Sequence, residues 1–138
     1  AAFALGAEGV AMGTRFLTSQ ESPVHPAYKA AVVAAPPSGT MINPRPPGAI
    51  FRTLKTPRAI GYAAGTAPPP SHRDLVEMLY IGGDVDNTTG AAGESAGLIH
   101  EVRPVADIVR SSIEGFWREI DRLSALRPAS GPRALAPT

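Results

Sequence analysis

Residues 1–17, AAFALGAEGVAMGTRFL, decide how the rest of the chain is read. Ala1 to Ala7 has the small, apolar composition of a helix end, and Gly6 stands where a left-handed C-cap belongs. Glu8 leads into Gly9-Val10-Ala11-Met12, an apolar run without polar alternation. A parallel strand covered on both faces reads this way. Gly13-Thr14 follows where such a strand stops, and Arg15-Phe16-Leu17 continues in helix-compatible residues. Gly13 carries no Cβ, so a ligand can come close to the backbone there. The N–H groups of Gly13, Thr14 and Arg15 lack helical partners at a helix start and suit an anion, and the Thr14 hydroxyl adds a donor. From these residues alone two readings stand. One is a phosphate-binding turn at the carboxyl end of a barrel strand; the other is an ordinary tight strand-to-helix connection.

Working outward, Thr18 to Pro23 is a polar connection, and Pro26 is well placed to start a helix that runs to Ala35, where Pro36-Pro37 stops it. His25, just before that helix, reads as a surface or capping residue rather than a catalytic base. The resemblance begins here. Leu5 to Ala35, with its Met-Gly-Thr-Arg-Phe run followed by Glu-Ser and His-Pro-Ala-Tyr-Lys, resembles the last barrel strand region of nitronate monooxygenases, the flavin enzymes once called 2-nitropropane dioxygenases. Gly93 to Val109, GESAGLIHEVRPVADIV, is similar to the C-terminal loop and final helix of the same family. The two blocks keep the family's order and cover somewhat over a third of the chain.

The resemblance implies an α/β fold: the C-terminal portion of a (β/α)8 TIM barrel, incomplete, with long Pro/Gly-rich loops and a C-terminal amphipathic helix. It implies FMN as cofactor, with Ala11, Met12, Gly13 and Thr14 at the phosphate end and no catalytic residue in this stretch. The family's catalytic histidine lies in an earlier strand loop. The activity implied is oxidation of an alkyl nitronate with O2 to a carbonyl compound and nitrite. A related FMN enzyme, the enoyl-acyl carrier protein reductase type, shares the phosphate segment and is the near alternative. A non-catalytic truncated fragment or helical interaction module is the alternative of another class.

Such a barrel takes about 250 residues, whereas this sequence has 138 and begins with Ala1 inside a helix-like stretch. The expectation is therefore a C-terminal piece, residues 1–126, whose partner is the missing N-terminal part of the barrel, and which is inactive by itself. The family's Gly-Gln in the C-terminal loop is Gly93-Glu94 here. A carboxylate cannot donate a hydrogen bond and is unfavourable near an anionic cofactor, so Glu94 is not taken as a site residue.

Composition sets outer bounds. Hydrophobic residues make up 43%, aromatics only 6%, and there are 15 prolines and 14 glycines. Thirteen basic and 12 acidic residues are spread without blocks, which argues against nucleic acid or a polybasic membrane surface as partner. The absence of cysteine removes thiolate chemistry and fits a reducing, cytoplasmic setting. No apolar run approaches the roughly 20 residues that span a bilayer.

Ser38 to Pro70 reads as a Pro/Gly-rich excursion. Thr40-Met41-Ile42 is a short extended piece, Ile50 to Leu54 and Pro57 to Ile60 are apolar anchors, and Arg45, Arg52, Lys55 and Arg58 lie on a solvated loop face. Ser71 to Leu79 reads as a short helix with Ser71 as N-cap and Asp74 completing the capping pattern, ended by Gly82-Gly83. Asp84-Val85-Asp86-Asn87 lacks the glycine and glutamate spacing of a calcium loop. Gly90, Gly93 and Gly97 have no preceding strand and so make no dinucleotide fingerprint. Pro104 opens the last helix, where Val105, Ile108, Val109, Ile113, Phe116, Trp117, Ile120 and Leu123 recur at helical spacing and lay one face on a barrel wall. Residues 127–138, with three prolines, read as a disordered tail.

Overall fold

Gly6 does close a helical end. A 3-10 turn, Phe3–Leu5, stops at Gly6 with φ 93°, and the Gly6 N–H donates to Phe3 O at 3.0 Å. The computed structural model describes residues 1–45 and 49–126, the side chains of Arg45 and Ala49 excepted; the tail expected at 127–138 lies outside the described residues. The chain divides into two units, Ala1–Val105 and Ala106–Thr138.

The expected strand at Gly9–Met12 is not formed. Among the described residues no strand lies beside it, Val10 is 63% exposed, and Met12 is at 36%. A strand exists only by pairing its N–H and C=O groups with a neighbour, and here there is none. Helix α1 (Thr14–Leu17) follows, a single turn of four residues with Gly13 at its N-cap.

Helix α2 (Pro26–Val33) forms as its start signals require. Pro26 occupies the first turn, and His25 caps it by accepting the Ala27 N–H on Nδ1 at 3.1 Å. Its inward face carries Tyr28 and Val32, both fully buried, into a core completed by Leu54, Leu79, Ala92, Ala96 and Ile99. Lys29 is also buried, and its Nζ donates to the carbonyls of Ser19 at 2.7 Å, Gln20 at 3.2 Å and Ser22 at 2.7 Å. Three donors meet three acceptors, so the charge is fully hydrogen-bonded despite its burial. The loop it gathers reaches onward: Gln20 N–H donates to Arg103 O at 2.9 Å, and the Glu21 carboxylate takes the Val105 N–H.

The Pro/Gly-rich excursion holds more order than its composition suggests. Strands β1 (Thr40–Arg45) and β2 (Ala49–Leu54) pair antiparallel, Thr40 opposite Leu54 and Asn43 opposite Phe51. Their inner face buries Asn43 and Thr53 completely, joined by an Nδ2 to Oγ1 bond of 2.8 Å. Residues 90–92 run along the other edge of β2: Leu54 N–H donates to Gly90 O at 2.9 Å and Ala92 N–H to Arg52 O at 3.1 Å. Helix α3 (Pro57–Ala63) is capped by Thr56, whose hydroxyl accepts from Ala59 N–H.

The helix expected at Ser71–Leu79 starts as read. Ser71 N–H donates to Asp74 Oδ2 at 3.0 Å, and Asp74 N–H donates back to Ser71 Oγ at 3.1 Å. From Asp74 to Ile81 it winds as a π-helix, wider than the α-helix its composition suggests. The wide turn brings carbonyls against its end: a Cβ on Gly82 would sit 2.8 Å from Met78 O. Gly83 has φ 73°, and a Cβ there would sit 2.1 Å from His25 Nδ1. Only glycine fits both positions. Asp84 then closes the next turn by accepting from Asn87 N–H and Nδ2.

Helix α4 (Val105–Ala125) runs 21 residues. On its apolar stripe Ile113 is 54%, Trp117 58% and Leu123 50% exposed. Phe116 and Trp117 meet edge to face at 5.1 Å. No described helix is long and apolar enough to cross a membrane.

Candidate functional site

Four residues were singled out in the sequence: Ala11, Met12, Gly13 and Thr14. The structure leaves Ala11 and Met12 on the surface and brings Gly13 and Thr14 to the loop that begins the second block. Thr14 Oγ1 accepts the Gly93 N–H at 2.9 Å across a separation of 79 residues. The hydroxyl expected to donate to a ligand is thus first an acceptor, and its proton stays available. Among the described residues no backbone carbonyl takes the N–H of Gly13, Thr14 or Arg15. A Cβ built on Gly13 would meet nothing within 4 Å, so the face of this turn is open.

A cleft of about 350 Å³ lies at the junction, lined by Gly13, Thr14, Leu17, Arg52, Tyr80, Ala91, Ala92 and Gly93. Two of its lining side chains were not anticipated. Arg52 was read as part of a solvated loop face; it is half-buried, its Nη1 donating to Thr40 Oγ1 at 3.1 Å and its Nη2 paired with Glu94 Oε1 at 2.7 Å. Glu94 therefore does not stand as an uncompensated carboxylate. Tyr80 stacks on Tyr28 with ring centroids 5.8 Å apart, and burial pushes its hydroxyl above the ordinary tyrosine range. No local signal in the sequence tied Arg52 to this cleft, because the tie runs through the β2 edge and the 90–92 segment.

Arg15 turns away from the cleft. Its Nη1 donates to Glu101 O at 2.9 Å, while Nη2 is buried with no hydrogen-bond partner among the described residues. Burial, then the neighbouring charge of Arg103, lowers its pKa, and Glu101 opposes the shift. Among the described residues no group of three or more His, Asp or Glu side chains could hold a metal ion.

The cleft is lined by residues whose groups suit an oxyanion: Gly13 and Thr14, whose N–H groups no backbone carbonyl takes among the described residues, the Thr14 hydroxyl and the Arg52 guanidinium. The comparisons bear on what the anion belongs to. The family model described as nitronate monooxygenase matches residues 1–115. A protein of Mycobacterium tuberculosis named (3aS,4S,5R,7aS)-5-hydroxy-7a-methyl-1-oxo-octahydro-1H-indene-4-carboxyl-CoA dehydrogenase is 36% identical over 89 residues, 58% of this chain and 25% of its own length. FabK from Thermotoga maritima superposes with a TM-score of 0.80 at 35% identity, over 90% of this chain and 42% of that one. A point mutant of the same protein gives 0.74 at 37% identity, over 90% of this chain and 38% of its own. The chain thus spans about a quarter of the curated relative and about two fifths of each solved structure. The matched stretch contains both the Gly13–Thr14 turn and the Gly93 loop bonded to it, and the chain belongs to the nitronate monooxygenase family.

Proposed function

We propose that this chain forms the phosphate-binding end of an FMN-dependent oxidoreductase whose scaffold is a (β/α)8 barrel, residues 1–126 forming its C-terminal part. The observation that carries the reading is the Thr14–Gly93 hydrogen bond, which joins the two family-like blocks around unengaged donors. The residues present fit a phosphate monoester. Gly13 offers an open approach, the N–H groups of Gly13 and Thr14 are available, and Ala11 and Met12 lead the backbone to the turn without a bulky polar side chain. A bound flavin would supply the electron-transfer chemistry. This chain's residues would hold and orient it: the turn would take the phosphate, and Leu17, Tyr80 and Ala92 line the cleft wall.

For the substrate, the reading is an alkyl nitronate oxidised with O2 to a carbonyl compound and nitrite, supported by the match to the nitronate monooxygenase family. A second reading is redox chemistry on an acyl thioester, of the enoyl-acyl carrier protein reductase type. The relative named as a carboxyl-CoA dehydrogenase favours it. The test uses the natural gene product that carries these residues. FMN retained on purification, with nitrite release from a nitronate in air, supports the first reading. Oxidation of a nicotinamide cofactor with a crotonyl thioester as acceptor replaces it with the second. A protein that binds no FMN overturns both and leaves a non-catalytic module.

A further inference from the structure

We propose that Arg52 is the cationic contact for the flavin phosphate in this cleft, and that Glu94 tunes its strength; the inference rests on the flavin reading above. Arg52 lines the same cleft as Gly13, Thr14 and Gly93. Its backbone is pinned, since Arg52 O accepts the Ala92 N–H at 3.1 Å and the adjoining Thr53 bridges Ala91. Its side chain is held from two sides, by Thr40 Oγ1 and by Glu94 Oε1. A guanidinium has five N–H donors in a rigid plane, and two are used here. The rest find no acceptor among the described residues.

The two partners differ in exposure. The Arg52 side chain is 29% exposed and the Glu94 side chain 74%. Glu94 sits in solvent and holds the guanidinium weakly, because water screens an exposed ion pair. A phosphate dianion in this cleft would accept charge-assisted bonds from a partly desolvated donor. The carboxylate thus orients the arginine before the phosphate arrives and repels the phosphate once it is there. Removing the two side chains has opposite effects on phosphate affinity, whereas removing either half of a purely structural clamp loosens the same loop.

The experiment measures FMN and riboflavin dissociation constants for the natural gene product and for R52Q, R52K and E94Q, by flavin fluorescence. R52Q is expected to weaken FMN about ten- to a hundredfold, the span of one lost hydrogen bond to a charged group. Riboflavin, which lacks the phosphate, shifts less than twofold, and R52K recovers part of the loss. E94Q is expected to tighten FMN about two- to fivefold. Equal weakening of both flavins by R52Q, or weakening of FMN by both R52Q and E94Q, overturns the assignment and makes the pair a clamp between β2 and the 93–94 turn. If the wild-type protein binds neither flavin, the reading beneath falls as well, so the two failures are distinguishable.

Discussion

Around α2, polar side chains find their partners inside the chain. The Tyr28 hydroxyl donates to Ala91 O at 2.6 Å, and Lys29 Nζ reaches three carbonyls. Residues 1–15 are the reverse. Leu5 is 89% exposed, Val10 63%, and among the described residues no backbone carbonyl takes the N–H groups that start α1. The first region closes on itself and can hold a fold. The second presents apolar surface and, among the described residues, backbone donors that no backbone carbonyl takes. Thr14 stands on the border, one side bonded to the Gly93 loop and the other facing the cleft.

The strongest way to break this contrast is to remove its centre. Tyr28 is fully buried, packs on Tyr80, and fills the space that a Cβ on Gly90 would enter at 2.5 Å from its Cε2. Tyr28→Ala is expected to destabilise the natural gene product by about 3–5 kcal/mol through the cavity and the orphaned Ala91 carbonyl. Urea unfolding measures it, and a cost below about 1 kcal/mol would mean that the packing around α2 is not what holds the unit together.

A smaller effect of the same residue appears with pH. Burial, then the neighbouring Tyr80, raises the pKa of the Tyr28 hydroxyl, so the folded state keeps a proton that the unfolded state loses near the ordinary tyrosine value of 10.0. The sign follows: the contribution is fully present below about pH 10 and declines as pH rises beyond it toward the folded value. Tyr80, raised by burial, acts in the same direction. Thermal unfolding followed from pH 8 upward is expected to be level and then to fall above about pH 10. Tyr28→Phe loses about 1 kcal/mol at neutral pH with its hydrogen bond and flattens the alkaline fall. A variant that falls as steeply as wild type would move the titration to another group.

Sequence alone carried those features whose causes are local. Pro26 with His25 marked the start of α2, Ser71 with Asp74 marked a capped helix, and Gly6 marked a C-cap, each because the partners sit within a few residues. What escaped was non-local. β2 was hidden among prolines and glycines, and its pairing depends on β1 and on residues 90–92. Gly9–Met12 has the composition of a buried strand, but composition cannot supply the neighbour that pairs it. The Gly13–Thr14 turn could be proposed as an anion site from its residue types. Arg52 was not, because only the fold brings it opposite Glu94.

The smallest effect concerns three protons and tests the open side of the contrast. With no carbonyl partner among the described residues, the N–H groups of Gly13, Thr14 and Arg15 are expected to exchange with solvent at nearly unprotected rates in the flavin-free natural gene product. The Leu54 N–H, bonded to Gly90 O beside a buried side chain, is expected to exchange more slowly by at least about a hundredfold. Global stability does not separate the two sites, since both belong to the unit Ala1–Val105; the difference is purely local. Adding FMN is expected to slow the turn amides and leave Leu54 unchanged, because a phosphate accepts from the first group and cannot reach the second. Slow exchange at Gly13 to Arg15 before any ligand is added would mean that other protein groups already take these donors, and the turn would then be a connection between elements, with its donors closed to a cofactor.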